Sequence, residues 1–265
     1  IIQIANGYFV PVNKVLEYIN YRWKSKGRHG THSPFVYDFV DKCVYTPIAN
    51  ETKQRLKYYM NLLKKNSTII EVHDLGAGSK RMGNMRSVRK IAQNSSSKGK
   101  YGDLLSKLVL HYQPQNILEL GTSVGIGTAH LAAVNPKANI TTVEGCPNTY
   151  SIAKKQFEEL KFNNITAINS DFTRFLQDDQ SIYDLIYLDG HHIGSAVLQY
   201  VDALQKNMHD DTLLIVDDIY WSQGMNDAWK SLVADERFHC TIDLWRMGII
   251  LKRPHQVKEH FIVNY

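Results

Sequence analysis

Two glycine-rich turns follow short apolar runs, and either could hold a nucleotide. Residues 74–78 read "DLGAG", and residues 117–128 read "ILELGTSVGIGT". Such a turn binds a nucleotide when a helix stands behind it and a second strand ends in an acid that takes the ribose hydroxyls. After Gly121 these parts are present. Gly125 and Gly127 let the backbone pass close to a ligand, a helical stretch follows, and the run "NITTV" leads to Glu144. After Gly76 and Gly78 comes "SKRMGNMRSVRKIAQNSSSKGK", with no strand and no acid. The loop at 121–127 is therefore the expected cofactor loop. The loop at 76–78 is expected to be a turn that touches no cofactor.

The elements around these loops set the fold class. From residue 116 the chain alternates: "NILEL", "NITTV", "NITAI", "YDLIYL" and "DTLLIV" are strand runs, each followed by a helical period. Alternation of this kind implies parallel pairing with both faces covered. "FHCTIDL" and "MGIIL" have no room for a crossover and should form an antiparallel hairpin. The expectation is an α/β, Rossmann-like, seven-stranded, mostly parallel sheet with one reversed strand.

Residues 1–100 read differently, as a basic, mainly helical module before a domain at 101–265. Ser33 is placed as an N-cap with Pro34 at the first helical position. "ETKQRLKYYMNLLKKN" carries Leu56, Tyr59, Met60 and Leu63 on one face. The run at 95–99 reads as a mobile loop.

Charge divides the chain in the same place. Residues 1–114 hold 19 Lys and Arg against 7 Asp and Glu, whereas residues 115–265 hold 12 against 19. No run approaches the 18 or so apolar residues of a membrane span. The opening "IIQIANGYFV" lacks a basic leader and is not read as a signal peptide. Cys43, Cys146 and Cys240 are far apart, so reduced structural thiols in a cytoplasmic protein are expected.

The segments "LELGTSVGIGT", "VEG", "NSDF", "YLDGHH" and "VDDIYWSQGM" together resemble the class I S-adenosylmethionine-dependent methyltransferases. The likeness is closest to the catechol and caffeoyl-CoA O-methyltransferase type and covers roughly residues 100–252. It implies that S-adenosylmethionine lies against Glu119, Gly121, Thr122, Ser123, Gly125, Gly127, Glu144, Gly145, Asp171, Phe172 and Asp189. Glu144 would take both ribose hydroxyls, and Asp171 and Phe172 would flank the adenine. Asp171 also reads as a helix N-cap before "FTRFL".

Metal-dependent members place one Asp after the fourth strand and a further acidic pair after the fifth. By that resemblance Asp189, Asp217 and Asp218 would hold Mg²⁺ or another divalent cation. Three carboxylates at one sheet edge repel each other, which a hard cation relieves. Such members commonly carry a Lys three positions after the first Asp. Here that position is His192, which would act as the base, since imidazole titrates near neutral pH without a large shift. The alternative for Asp217 and Asp218 is that they cap the following loop and helix. His191 is expected to orient the loop. Tyr220 and Trp221 could wall an acceptor pocket.

Residues 80–100 hold seven Lys and Arg and no acid. They read as solvated surface, as a lid that attracts an anionic acceptor, or as a nucleic-acid footprint without a recognised RNA-binding signature. Arg28, His29 and His32 precede a helix start, which favours anions. The expected function is O-methylation of a small molecule, anionic acceptors included, and a homodimer is compatible with it. The alternatives are methylation of RNA or another polyanion, and a cofactor-binding protein without activity.

Overall fold

The computed structural model describes residues 2–4, 8–10, 12–27, 32–73, 84–95 and 97–265. A strand pair, β1 (Ile2–Ile4) and β2 (Tyr8–Val10), precedes α1 (Val12–Lys24). Next come α2 (Pro34–Phe39), continued by a π-helical turn over Val40–Tyr45, and α3 (Asn50–Lys65). A second pair, β3 (Ile69–Glu71) and β4 (Met85–Ser87), leads to α4 (Val88–Asn94) and α5 (Lys100–Tyr112). Strand and helix then alternate through β5 (Asn116–Leu120), α6 (Ile126–Ala132), β6 (Asn139–Glu144), α7 (Pro147–Glu159), β7 (Ile165–Asn169) and α8 (Phe172–Asp178). The chain closes with β8 (Tyr183–Leu188), α9 (Gly194–Ala203), β9 (Met208–Val216), α10 (Gln223–Ala234), β10 (Cys240–Asp243), β11 (Gly248–Leu251) and β12 (Glu259–Ile262).

The main sheet has the order β12-β10-β11-β9-β8-β5-β6-β7. Only β11 runs against its neighbours, so the expected hairpin of β10 and β11 is present. The sheet has eight strands, not the expected seven, because β12 adds in parallel beside β10. That strand, "EHFI", is short and half-exposed and so gives little alternation to read. Its outer edge is covered by the residue two places after α1: Lys26 N–H donates to Ile262 O at 2.8 Å, and Asn264 N–H donates to Lys26 O at 3.0 Å.

The central strands are apolar on both sides because both faces are covered. Leu118, Leu120, Ile186 and Leu188 enter one core, while Ile117, Leu185 and Tyr187 enter the other. The second core also takes Val36, Phe39, Leu56, Tyr59, Leu63, Leu104 and Leu108, so α2, α3 and α5 pack on that face of the sheet. Pro34 opens α2 as expected, but Ser33 makes no side-chain cap. The basic stretch that reads as having no strand contains β4, followed by α4. Ser97, in the stretch read as mobile, is 1% exposed. All three cysteines are buried and free. Among the described residues, no helix is long and apolar enough to cross a membrane.

One contact ties the extension to the glycine loop. Tyr59, on α3, is buried and its hydroxyl donates to Val124 O at 2.9 Å. The adjacent Gly125 has φ +82°, and a Cβ there would stand 2.3 Å from the Tyr59 hydroxyl and 2.6 Å from the Phe157 ring. Gly125→Ala should therefore destabilise the protein by about 1–3 kcal/mol, from left-handed backbone strain together with overpacking. Equilibrium denaturation measures it, and an unchanged midpoint would show that the loop yields freely.

Candidate active site

The sheet reverses its strand order between β5 and β8. From β5 the chain moves outward to β6 and β7, then returns to β8 and β9 on the other side. Ligands of open α/β sheets bind in the crevice at such a switch point, beyond the carboxyl ends of the strands. Gly121 follows β5 and Asp189 follows β8. Asp189 N–H donates to Leu120 O at 2.9 Å, and a Cβ on Gly121, whose φ is +113°, would lie 2.2 Å from Asp189 O. Only glycine fits that close approach.

Glu144 ends β6 beside this crevice. Its Oε2 accepts from Ser123 N–H at 2.7 Å and its Oε1 from Cys146 N–H at 2.8 Å. These bonds fix the orientation of the carboxylate. Gly145 is held next to it, as the Asn169 amide donates to Glu144 O at 2.7 Å and to Gly145 O at 3.3 Å. Ser123 is exposed, with φ +50°. Replacing Glu144 with alanine should weaken donor binding by about 1.5–3 kcal/mol, the value of lost charge-assisted hydrogen bonds. Calorimetry with S-adenosylmethionine reads this directly, and equal affinity in both proteins would remove Glu144 from the site.

Other residues expected at the cofactor also build the wall of the crevice. Glu119 is fully buried and accepts from the Thr142 hydroxyl at 2.6 Å and from the Thr128 hydroxyl. Burial pushes its pKa up to about 7. Thr122 is buried against Thr142, at 2.5 Å between hydroxyls. Gly127 allows the close approach of α6 to Glu119, whose Oε1 would lie 2.6 Å from an added Cβ. Asp171 caps α8, accepting from Arg174 N–H at 2.8 Å. Phe172 is buried and packs on Gly190, where an added Cβ would lie 2.5 Å from the ring. Gly76 and Gly78, with Arg28 and His29, lie outside the described residues.

The acidic cluster assembles as expected, with one addition. Asp189 Oδ2 accepts from the Ser97 hydroxyl at 2.8 Å, and Ser97 also meets the Tyr187 hydroxyl at 3.0 Å. Asp217, after β9, is 1% exposed and lies beside Asp189. Asp218 follows with φ +53°. Ser222, not either aspartate, caps α10, accepting from Met225 N–H at 3.2 Å. His192 Nε2 stands 3.8 Å from Asp189 Oδ1 and 3.9 Å from Asp218 Oδ2. Burial raises the Asp189 pKa to about 6 and also raises that of Asp218. His191 pairs with the Tyr200 hydroxyl and stacks on its ring, which fits a loop-orienting role.

The addition is Arg246, from the turn between β10 and β11. Its Nε lies 2.9 Å from Asp218 Oδ1 and 3.8 Å from Asp217 Oδ1. Burial opposes its charge, but Asp218, Asp217 and Asp189 outweigh this and raise its pKa. The expected divalent site is corrected here. The three carboxylates do not fit a metal ion, because a guanidinium already stands among them. Among the described residues, no group of three or more His, Cys, Asp or Glu side chains is arranged to hold one.

The helix α1 packs beside the residues that follow β9. Lys14 Nζ donates to Trp221 O at 2.6 Å and lies 5.0 Å from the centre of its ring. Glu17 accepts from the Asn226 amide at 2.9 Å, while Tyr18 and Tyr21 pack on Trp245. Trp221 is 55% exposed, whereas Tyr220 is stacked on Trp245 and bonded to Asp243 at 2.7 Å. Of the two aromatic rings expected to line a pocket, Trp221 is the exposed one.

Residues 118–219 match a family model described as a methyltransferase domain. A stretch of 102 residues, 38% of the chain, is 33% identical to the protein-L-isoaspartate O-methyltransferase of Methanococcus maripaludis and spans 45% of that protein. An S-adenosylhomocysteine-bound methyltransferase from Podospora anserina superposes with TM-score 0.58 at 15% identity, over 93% of this chain and 99% of that one. A Bacillus cereus O-methyltransferase in complex with S-adenosylhomocysteine gives 0.53 at 16% identity, over 88% and 100%. The O-methyltransferase TomG from Streptomyces achromogenes, in complex with S-adenosylmethionine, gives 0.53 at 15%, over 82% and 94%. At these identities the structural likeness is one of fold. Residues 118–219 are thus similar to a methyltransferase domain, and the chain shares its fold with these solved methyltransferases.

Proposed function

We propose that the protein methylates a hydroxyl oxygen of a small acceptor, with S-adenosylmethionine as donor and His192 as base. The observation that supports this most is convergence at one sheet edge. Gly121, Glu144, Asp189, Asp217 and Asp218 follow four different strands, and His192 stands between two of the aspartates. The donor, when bound, supplies an already activated methyl group, which passes to the acceptor oxygen as the carbon–sulfur bond breaks. Glu144 holds the donor by its ribose. His192 Nε2 takes the hydroxyl proton as the new oxygen–carbon bond forms, and the aspartates on either side stabilise the imidazolium.

The N-terminal extension serves the acceptor. The helix α1 brings Lys14 to Trp221, and the charge of Asp218 acts on Lys14. An amphipathic wall of an exposed indole and an ammonium suits a small, aromatic, anionic acceptor better than a folded polyanion. The test is release of S-adenosylhomocysteine with a panel of phenols, catechols and hydroxy acids, with and without chelator. Chelator-insensitive turnover of a hydroxyl acceptor is expected. Donor binding without turnover of any hydroxyl compound would overturn the assignment and leave a cofactor-binding protein.

A further inference from the structure

We infer that the outward face of α1 is a docking surface for an anionic lipid bilayer, on which the protein sits without spanning it.

The two faces of this helix do different work. Lys14, Glu17, Tyr18 and Tyr21 lie on the inward one, where they meet Trp221, Asn226 and Trp245. Leu16, Ile19 and Trp23 follow the three- and four-residue spacing of a single stripe on the other. The fold leaves that stripe open. Leu16 is 59% exposed, Ile19 56% and Trp23 83%. One exposed apolar side chain is ordinary, but a row of them ending in an indole marks an interaction surface.

The charges beside the stripe say what covers it. Arg22 and Lys24 flank Trp23 in the last turn, Lys26 follows just after the helix, and all three are exposed. Glu17 is the one acid of the helix, and it is turned inward to the Asn226 amide. A second copy of the chain would bring this same face in a two-fold contact, and so no carboxylate for Arg22 or Lys24. An anionic bilayer answers both parts of the surface. The indole and the two aliphatic side chains enter the boundary between headgroups and acyl chains, while the cations stay level with the phosphates. The 13 residues of α1 are too few to cross a bilayer and suit a helix lying in its surface. Three cations near such a surface favour it over a neutral one by about 10²-fold. Because the inward face of the same helix lays Lys14 on Trp221, docking also brings the cleft assigned above to the acceptor close to the bilayer. That consequence alone rests on the methylation reading.

The experiment sediments the full chain with vesicles of phosphatidylcholine alone and of phosphatidylcholine mixed with phosphatidylglycerol, and follows its oligomeric state by analytical ultracentrifugation. The wild-type chain should bind the mixed vesicles and bind the neutral ones more weakly by about tenfold or more. Ile19→Ser combined with Trp23→Ser should weaken binding to the mixed vesicles by about tenfold or more. The melting temperature should not change, since neither side chain is buried. Arg22→Gln combined with Lys24→Gln should cut the preference for anionic lipid by about fivefold or more. A wild-type chain that does not bind the mixed vesicles would overturn the inference. Binding that the serine pair leaves intact, or a preference that the glutamine pair leaves intact, would overturn it too. A dimer that the serine pair splits would give the stripe to a second copy instead. None of these readings depends on turnover, so failure of the methylation assignment would be seen separately.

Discussion

Replacing His192 with alanine should lower methyl transfer about 10²- to 10⁴-fold, the usual contribution of a positioned general base. The argument is geometric. His192 Nε2 is nearly equidistant from Asp189 Oδ1 and Asp218 Oδ2, at 3.8 and 3.9 Å, and the ring is partly open to the cleft. The neighbouring imidazole, His191, is instead bonded to the Tyr200 hydroxyl. Removal of His192 touches neither Glu144 nor the 121–127 loop. Donor affinity should therefore stay within about twofold, a margin well below the 1.4 kcal/mol of a tenfold change. Single-turnover kinetics at saturating donor separate the two effects. A variant that keeps more than a tenth of the wild-type rate would remove His192 as the base and pass the role to a carboxylate or to water.

The parts of this cleft that were legible in the sequence are those carried by strand ends. "NITTV" leading into Glu144 and "YDLIYL" leading into Asp189 sit in buried parallel strands, whose apolar runs mark where each acid must emerge. Their meeting at one edge follows from parallel pairing alone. Arg246 was not legible, because nothing in its spacing ties a hairpin turn to an acid 28 residues earlier. That link is made by register, through the pairing of Gly248 with Val216. The divalent site was over-read for the same reason. The carboxylates were visible, but the cation that answers them lies on another strand pair. Gly125 and Gly127 suggested a ligand, yet the atoms that demand glycine there belong to Tyr59, Phe157 and Glu119. A glycine pattern records close approach without saying what approaches. Strand β12 escaped because a half-exposed edge strand of four residues has too little period to read.

Glu119→Gln should make the protein more stable above neutral pH. Glu119 is fully buried under the glycine loop, and burial raises its pKa from 4.5 to about 7. The Thr128 and Thr142 hydroxyls both donate to Oε2, while Oε1 has no hydrogen-bond partner. The proton is thus held more tightly in the folded state than in the unfolded one. Stability from this group is complete below pH 4.5 and falls as pH rises, until the folded-state value near 7 is passed. Above that, the ionised carboxylate costs about 3 kcal/mol, at roughly 1.4 kcal/mol for each pKa unit. Glutamine keeps the shape and an accepting oxygen for the threonines and has no charge to desolvate. Denaturation of both proteins at pH 4.5 and pH 8 isolates this term, because other titrating groups cancel in the difference. The glutamine variant should gain about 3 kcal/mol on the wild type between the two conditions. A difference that stays constant with pH would mean that Glu119 is ionised throughout, with its charge compensated by the two threonines and the peptide dipoles around them.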